Sequence, residues 1–227
     1  MITDPYENMR LTMVASQIEA RGIHEPRLLN VLRSVPRHRF VPEELRDMAY
    51  DDNALTIGSS QTISQPYIVA YMTSLLNLQG DETVLEIGTG SGYQAAVLSC
   101  LASFVHTIER HENLAWRARH VLAEIGYHNI LVHLGDGSAG WPASAPYQGI
   151  LVTAAAPTPP PPLLAQLSEG GRLVLPVGGR TGQFLQVWQR HGEEFETTQT
   201  IQVAFVPLRG KHGWAEEEWE TSAGRVC

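Results

Sequence analysis

Short apolar runs recur at regular intervals from residue 83 onward, and longer amphipathic stretches lie between them. The runs are continuously apolar, which is typical of strands covered on both faces of a parallel sheet. The predicted strands cover residues 84–87, 104–109, 130–134, 149–153 and 172–177, and the predicted helices cover residues 93–101, 114–125 and 162–167. Strand and helix alternate every ~20–25 residues, which predicts βαβ units in an α/β fold around a parallel sheet.

The two ends of the chain follow other patterns. Apolar residues at helical spacing up to about residue 53 predict a helical N-terminal segment, to which we assign residues 1–60. Residues 184–190 and 200–208 are β-rich, and Gly192 lies between them without a helix. They predict an antiparallel pair that closes one edge of the sheet. Proline-rich residues 157–162 predict a loop or a helix entry, because proline lacks the amide N–H of a strand ladder.

Composition limits the partners. The 227 residues carry 24 Asp and Glu against 16 Lys and Arg, a formal net charge of −8. This acidity argues against nucleic acid or an anionic membrane as the main partner. No apolar run approaches the ~18 residues of a membrane-spanning helix, and residues 1–9 do not resemble a secretory signal. Two cysteines, Cys100 and Cys227, favour a reducing compartment, so we expect a cytoplasmic protein.

A glycine-rich turn follows the first strand of the predicted sheet. It reads E-I-G-T-G-S-G over residues 86–92 and precedes a predicted helix. Glycines allow a tight turn and a close approach of backbone N–H groups to a ligand. The G-x-G-x-G spacing differs from the G-x-G-x-x-G dinucleotide fingerprint, and Glu86 disfavours a nearby pyrophosphate. A cofactor with cationic groups and no phosphate, such as S-adenosylmethionine, is compatible with this acid.

Acidic residues also follow the next two predicted strands. Glu109 closes the second strand, about twenty residues after the turn, where a carboxylate can accept both hydroxyls of a ribose. Asp136, in the G-D-G run after the third strand, is placed to accept from the exocyclic amine of an adenine. A structural strand–helix junction would explain the glycine turn alone, but it would not explain acids after three successive strands. The pattern therefore predicts a nucleoside site.

Motifs outside the turn resemble those of the protein-L-isoaspartate O-methyltransferases. They are V-P-R at 35–37, F-V-P at 40–42, Q-T-I-S-Q-P-Y at 61–67, L-E-I-G-T-G-S-G-Y at 85–93, G-D-G at 135–137, V-T-A-A at 152–155, G-G-R-L-V-L-P-V-G at 170–178 and F-V-P-L at 205–208. The glycine turn marks only a methyltransferase superfamily, whereas Q-T-I-S-Q-P is much more specific.

The resemblance implies a Rossmann-like class I S-adenosylmethionine-dependent methyltransferase fold. Its α/β architecture is a seven-stranded, mostly parallel sheet with helices on both faces and an N-terminal helical addition. We expect a single methyltransferase domain over residues 1–227. It comprises the helical segment 1–60, a cofactor-binding core at 61–208 and a C-terminal tail at 209–227.

The resemblance also implies roles for individual residues. Ser64 matches the family's active-site serine, as an orienting hydrogen-bond donor and not a nucleophile. Residues implied to bind S-adenosyl-L-methionine and its product S-adenosyl-L-homocysteine are Gln61, Thr62, Ile63, Glu86, Gly88, Thr89, Gly90, Ser91, Gly92, Glu109, Arg110, Asp136 and Gly137. Residues implied to bind the substrate are Thr62, Ser64, Gln65 and Arg209. We expect no metal, because none of the nine histidines forms an H-E-x-x-H arrangement.

The implied reaction is methylation of the free α-carboxylate of L-isoaspartyl residues in damaged proteins and peptides, which are the expected partners. A carboxyl group with a pKa of ~3.5–4 is ionised at neutral pH, so no general base is needed. Positioning and desolvation then provide the catalysis. Without the resemblance, an N-cap of the helix predicted from Pro66 is the favoured interpretation of Ser64, and the two roles are compatible. We expect a monomer, since no sustained apolar seam is present.

Other interpretations differ in the acceptor or the cofactor. Amino-methylating relatives carry an N-P-P-Y-like run after the fourth strand, where this chain has T-A-A-A-P at 153–157. A carboxyl methyltransferase for a biosynthetic peptide or a small-molecule acid would keep the same fold and remains open. The glycine spacing argues against a nicotinamide-dependent dehydrogenase. The intact T-I-S loop argues against a non-catalytic binding module, because such a module would be free to lose it. Two departures stand out: Gln148 replaces a usual acid, and acidic residues 216–218 are expected to be a solvated end.

Overall fold

The computed structural model describes residues 4–222, so Cys227 lies outside the described residues. The strands in this range are β1 (Leu55–Gly58), β2 (Gln61–Ile63), β3 (Thr83–Ile87), β4 (Phe104–Glu109), β5 (Ile130–Leu134), β6 (Tyr147–Val152), β7 (Leu167–Gly179), β8 (Gly182–His191) and β9 (Glu194–Val203). The α-helices are α1 (Glu7–Met13), α2 (Pro26–Ser34), α3 (Pro66–Leu76), α4 (Tyr93–Ser99), α5 (Glu112–Ile125), α6 (Pro161–Ala165) and α7 (Glu216–Thr221). A π-helical turn (Val14–Ile18) follows α1, and short 3₁₀ turns are found at Glu19–Arg21, Arg37–Phe40, Glu43–Met48, Gly137–Ala139 and Pro142–Ser144.

Seven strands form one sheet in the order β5-β4-β3-β6-β7-β8-β9. The pairs β3–β4, β4–β5, β3–β6 and β6–β7 are parallel, whereas β7–β8 and β8–β9 are antiparallel. The predicted seven-stranded, mostly parallel sheet is therefore confirmed. The chain runs outward from β3 to β5 and then returns to β6 on the other side of β3. This reversal opens a crevice at the carboxyl ends of β3, β4 and β6, the usual ligand site of such sheets.

Hydrophobic cores cover both faces of the central strands. On β3, Leu85 and Ile87 belong to one core with residues of α6, while Val84 belongs to another with residues of α3 and α4. Neighbouring side chains on a strand point to opposite faces, so both faces need apolar residues. This explains the continuously apolar runs in the sequence. A third core joins the N-terminal helices to α4 and α5.

The N-terminal segment differs from the prediction of helices over residues 1–60. Strand β1 lies within it and pairs with β2 in an antiparallel hairpin. The two turn residues, Ser59 and Ser60, have φ angles of 52° and 56°. Two-residue hairpin turns need positive φ at both positions, and Asn-Gly or Asp-Gly is the usual signal. A Ser-Ser pair gives no such signal, so the sequence did not indicate the hairpin.

In the C-terminal part, the bounds of one strand and the packing of the tail differ from the prediction. The antiparallel pair of β8 and β9 is confirmed, but its second strand covers Glu194–Val203 and not residues 200–208, because the turn at Gly192 is tight. The acidic residues 216–218 are exposed, as expected of a solvated end. They nevertheless begin helix α7, whose Trp219 is buried, so this part of the tail packs on the protein. Within residues 4–222, no helix is long and apolar enough to cross a membrane.

Two histidines on adjacent strands should make stability depend on pH. His106 Nδ1 lies 2.9 Å from His133 Nε2, and the His133 ring stacks on Trp141. Burial lowers the pKa of His106, and burial with the charge of Arg119 lowers the pKa of His133. The unfolded chain therefore binds protons more readily, and the stability from this pair is lost as pH falls below about 6.5.

We expect this loss to be smaller in a His133→Gln variant, because one titrating group is gone while a polar partner for His106 remains. Urea unfolding of the variant and the parent at about pH 5 and about pH 7.5 measures the difference. An identical pH dependence in the two proteins would contradict the assignment to this pair. His128, which is exposed in the loop before β5, offers a matched His→Gln control.

Candidate active site

A cavity of about 620 Å³ opens at the carboxyl ends of β3, β4 and β6. Ten residues expected at the site line it: Gln61, Thr62, Ser64, Gln65, Gly88, Gly90, Glu109, Arg110, Gly137 and Arg209. Others were not anticipated from the sequence: Asp52, Asn53, Ala54, Ile68, Ile87, Ile108, His111, Thr153, Ala154 and residues 202–208. The cavity therefore combines the glycine turn, the β2–α3 junction and the segment after β9.

The glycine turn comes close to the rest of the fold. Gly88 has a φ of +95°, and a Cβ there would lie 2.3 Å from Thr153 Oγ1. That hydroxyl donates to the carbonyl of Gly88, at 2.8 Å. The amides of Gly88 and Thr89 donate to the carbonyl of Ile108 at 2.9 and 3.2 Å. The turn is thus fixed between β4 and β6, and any side chain at position 88 would displace it.

Glu109 is the acid at the cavity wall. Its Oε2 accepts from the amide of Gly90 and its Oε1 from the amide of His111, both at 2.9 Å. A carboxylate has about four lone-pair sites, so two remain for a ligand. Glu109 lines the cavity next to these amides, and its carboxylate can therefore accept from a pair of vicinal hydroxyls. This geometry is compatible with the expected role of Glu109 at the ribose, which stays a prediction.

Ser64 lies between β2 and α3 at the edge of the cavity. Helix α3 has Gln65 as its N-cap and no side-chain capping hydrogen bond, so the N-cap interpretation of Ser64 is wrong by one residue. Among residues 4–222, no side chain or backbone group forms a hydrogen bond with Ser64 Oγ. The hydroxyl is thus available to a ligand, and the loop does not use it to start the helix.

Comparison with known proteins identifies the family. The sequence profile of the protein-L-isoaspartate(D-aspartate) O-methyltransferase (PCMT) family matches residues 8–213. The chain belongs to this family. A protein-L-isoaspartate O-methyltransferase 1 of Syntrophobacter fumaroxidans is 54% identical over 209 residues, which cover 92% of this chain and 98% of the relative. A Syntrophus aciditrophicus protein-L-isoaspartate O-methyltransferase is 51% identical over 215 residues, covering 93% and 99%.

A solved structure shares the fold of this PCMT family member. A protein-L-isoaspartate O-methyltransferase structure superposes with a TM-score of 0.81 at 24% identity, covering 91% of this chain and 67% of the other. At this identity the likeness concerns the fold alone. The fold and the family match therefore agree on a methyltransferase architecture.

Glu86 of this family member lies behind the cavity and does not line it. The residue is fully buried on the strand face opposite Ile87, because side chains alternate along β3. Its Oε2 accepts from Thr107 Oγ1, and the Thr107 and Thr89 hydroxyls lie 2.6 Å apart. Burial raises the pKa of Glu86 to about 8. The expected direct contact of Glu86 with a cationic cofactor is therefore corrected: the side chain does not reach the cavity, and burial favours its neutral form.

A Glu86→Gln variant should gain stability relative to the parent as pH rises from about 6 to about 9. The folded state holds a proton up to a pKa of about 8, well above the ordinary 4.5. The stability from this group is therefore present below about pH 4.5 and lost as pH rises through about 8. Glutamine keeps the shape and never ionises. Unfolding in urea at several pH values gives the difference, and parallel curves for the two proteins would contradict the assignment.

Asp136 also lies outside the cavity lining, unlike its neighbour Gly137. Its Oδ1 accepts from the amide and the hydroxyl of Ser138, and its Oδ2 accepts from the amide of Lys211 at 2.8 Å. Burial alone would raise the pKa of Asp136, but these hydrogen bonds lower it. The carboxylate of Asp136 thus binds a segment 75 residues away, and its expected contact with an adenine amine stays a prediction.

Four further residues expected at the site lie behind the cavity lining. Ile63 and Thr89 are buried, and Gly92 begins α4 with a φ of +90°. Ser91 Oγ accepts from the amide of Tyr93. None of the four lines the cavity. They shape the turn and the hairpin, and their expected contacts with the cofactor stay a prediction.

Arg37, in the V-P-R run, holds the backbone of Ser64, a role that the sequence did not indicate. The residue is fully buried; its Nε donates to the carbonyl of Ala49 at 2.7 Å and its Nη2 to the carbonyl of Ser64 at 2.8 Å. The guanidinium lies 4.9 Å from the Tyr93 ring centroid. Burial lowers the pKa of Arg37 to about 10, so it stays charged at neutral pH.

Gln148, at a position where the family usually has an acid, accepts from the amide of Thr83 at 2.8 Å through Oε1. An amide oxygen can accept this hydrogen bond as a carboxylate would. The substitution therefore keeps the contact between the starts of β3 and β6.

Proposed function

We propose that this protein transfers a methyl group from S-adenosyl-L-methionine to the free α-carboxylate of L-isoaspartyl residues in damaged proteins and peptides. Family membership over residues 8–213 supports the reaction. The observation that carries the proposal is the cavity itself: Ser64, whose hydroxyl forms no hydrogen bond within residues 4–222, and Arg209 line the same space as Glu109. An anionic acceptor and a nucleoside donor thus have binding groups in one cavity.

The cofactor half of the cavity fits S-adenosyl-L-methionine. Glu109 has lone pairs left for two ribose hydroxyls after binding two amides. The walls are also close enough to exclude side chains, because a Cβ on Gly137 would lie 2.5 Å from Ile87 Cγ2. When bound, the cofactor supplies an electrophilic methyl group on a sulfonium.

The acceptor half binds and orients a carboxylate. Ser64 donates through its hydroxyl, and Arg209 provides a cation on the same cavity wall as Pro207 and Leu208. The acceptor is already ionised at neutral pH, so the protein has no proton to remove. Its own residues position one carboxylate oxygen and exclude water, and orientation of this kind contributes ~7–11 kcal/mol in favourable cases.

The product has a chemical consequence that makes the reaction a repair step. A methyl ester has a better leaving group than a free acid, so the following backbone amide can attack it and form a succinimide. Hydrolysis of that ring returns part of the material as normal aspartate. Because damaged sites occur in many sequences, we infer that the enzyme holds the peptide mostly through its backbone.

The proposal extends to the setting of the enzyme. We infer a monomer that works in the cytoplasm and binds neither nucleic acid nor membranes. The net charge of −8 and the small number of cysteines support this setting.

The test is methyl transfer from labelled S-adenosyl-L-methionine to two peptides of one sequence, one with isoaspartate and one with aspartate. We expect base-labile label on the isoaspartyl peptide alone. If neither peptide is labelled while the cofactor binds normally, the acceptor assignment is wrong. A carboxyl methyltransferase for a biosynthetic peptide or a small-molecule acid would then be favoured.

A further inference from the structure

Residues 208–214, which we call the strap, form a closed loop at the edge of the cavity. The amide of Trp214 donates to the carbonyl of Leu208 at 2.8 Å and closes the loop. A Cβ on Gly213 would lie 2.2 Å from that carbonyl oxygen, so the two ends of the strap touch. The strap therefore has one compact conformation, and it carries Arg209.

One side of the strap is fixed to the loop after β5. The amides of Lys211 and His212 donate to Asp136 Oδ2 at 2.8 Å and to Ser138 Oγ at 3.0 Å. Gly210 has a φ of +140°, and a Cβ there would collide with Asp136 Oδ1. These contacts hold the middle of the strap next to Gly137, on the cofactor side of the cavity.

The guanidinium of Arg209 is held from the other side. Its Nη1 donates to the carbonyl of Trp214 at 3.2 Å, and this is its only side-chain hydrogen bond within residues 4–222. An arginine side chain is long and loses much rotamer freedom when it is ordered. Because Nη1 is bound to that carbonyl, the position of the Arg209 guanidinium at the edge of the cavity depends on where Trp214 lies.

Trp214 in turn rests on helix α7, which begins beyond residue 213, where the family match ends. The Trp214 and Trp219 rings meet edge to face with centroids 5.7 Å apart, and Trp219 is 8% exposed. The end of α7 is bound to the β7–β8 turn. Arg180 donates to Ser222 Oγ through its amide at 3.0 Å and to Glu220 through Nη1 at 2.7 Å.

We infer that Trp219 is a positioning residue for peptide binding, because it supports Trp214 and thereby sets the direction of Arg209. The inference rests on the proposed function, in which Arg209 contacts the acceptor. Removing the Trp219 ring leaves both hydrogen bonds from the strap to Asp136 and Ser138 in place. The cofactor side should therefore be unaffected, while Arg209 loses its support. Small displacements of a positioning group are known to have large effects on the reaction.

The first experiment compares steady-state kinetics of Trp219→Ala, Trp219→Phe and the parent on an isoaspartyl peptide. For Trp219→Ala we expect a rise in peptide KM of about three- to tenfold, with kcat and S-adenosyl-L-homocysteine affinity nearly unchanged. Phenylalanine keeps an edge-to-face contact and should restore most of the loss. Trp116→Ala is the matched control, since Trp116 is 63% exposed on α5.

A double-mutant cycle with Arg209→Ala tests whether Trp219 affects peptide binding through Arg209. Arg209→Ala should raise peptide KM by about tenfold or more, and adding Trp219→Ala should raise it no further. An equal rise from Trp219→Ala in both backgrounds would overturn the inference, as would a fall in kcat with unchanged KM. If Arg209→Ala leaves KM unchanged, the acceptor role of Arg209 fails instead.

A second readout does not depend on activity. Trypsin cleaves after Arg209 and Lys211, and both bonds lie in the strap. Loss of the Trp219 support should free the Arg209 side chain and accelerate cleavage after Arg209 in Trp219→Ala. A smaller rise is expected in Arg180→Ala, which removes the ion pair with Glu220 and keeps the amide hydrogen bond to Ser222. Cleavage after Lys211, whose amide stays bound to Asp136, should change little. Unchanged cleavage in a folded Trp219→Ala protein would overturn the inference even if the proposed acceptor proved wrong.

Discussion

Replacing Glu109 by glutamine is expected to weaken S-adenosyl-L-methionine binding by about 100-fold. The carboxylate binds the amides of Gly90 and His111 and has two lone-pair sites left for hydroxyls. Hydrogen bonds to a charged group are worth ~1.5–3 kcal/mol each, and a loss of ~2.7 kcal/mol corresponds to about 100-fold in affinity. Isothermal titration with S-adenosyl-L-homocysteine measures the change.

Glu112→Gln provides the control for Glu109→Gln. Glu112 is an exposed acid in the first turn of α5, three residues further along, and it does not line the cavity. We expect its removal to leave affinity unchanged. Parent-like affinity in Glu109→Gln would show that the ribose acid lies elsewhere and would remove the main support for the cofactor half of the site.

Replacing Ser64 by alanine is expected to lower turnover by about 100-fold and to leave the folded state nearly as stable. The donor orients the acceptor carboxylate, and a misplacement of about 1 Å at a reacting group can reduce the rate by about 100-fold. Stability should change little, because Ser64 Oγ does not cap α3 and the backbone of Ser64 stays bound to Arg37. Single-turnover methylation and thermal unfolding, measured on the same preparation, separate the two effects.

Ser74→Ala is the matched control for Ser64→Ala. Ser74 lies near the end of α3 and donates to the carbonyl of Tyr71, away from the cavity lining. Turnover should be normal in that variant. A drop of several degrees in the Ser64→Ala melting temperature, with normal turnover per folded molecule, would reduce the residue to a structural role.

The sequence predicts the parallel half of the fold because local pattern and global fold agree there. Strands β4 and β5 have the predicted bounds, and β3 differs by one residue. The hairpin of β1 and β2 escapes prediction because its turn uses serines at positive φ. The strand β9 is misplaced because its exposed, polar residues give no burial pattern, and register comes from pairing with β8.

The position of a residue along its strand decides whether its side chain reaches the cavity. Glu109 ends β4 and therefore meets the cavity, whereas Glu86 is one residue before the end of β3 and faces the other side. Asp136 binds Lys211, a contact between distant parts of the chain that spacing cannot reveal. The role of Arg37 is similarly invisible, because it depends on two carbonyls brought together only by folding.

The free edge of the sheet has a consequence for solubility. Strand β9 is the last strand at that edge, and the residues after it line the cavity. An unpaired edge can recruit other extended chains into aggregates. A repair enzyme of the proposed kind works among flexible, aged chains of this type. Strand β9 is mostly exposed and rich in threonine, glutamine and glutamate, with Glu194 and Glu196 near its start. The polar and charged residues of β9 disfavour such pairing along this edge.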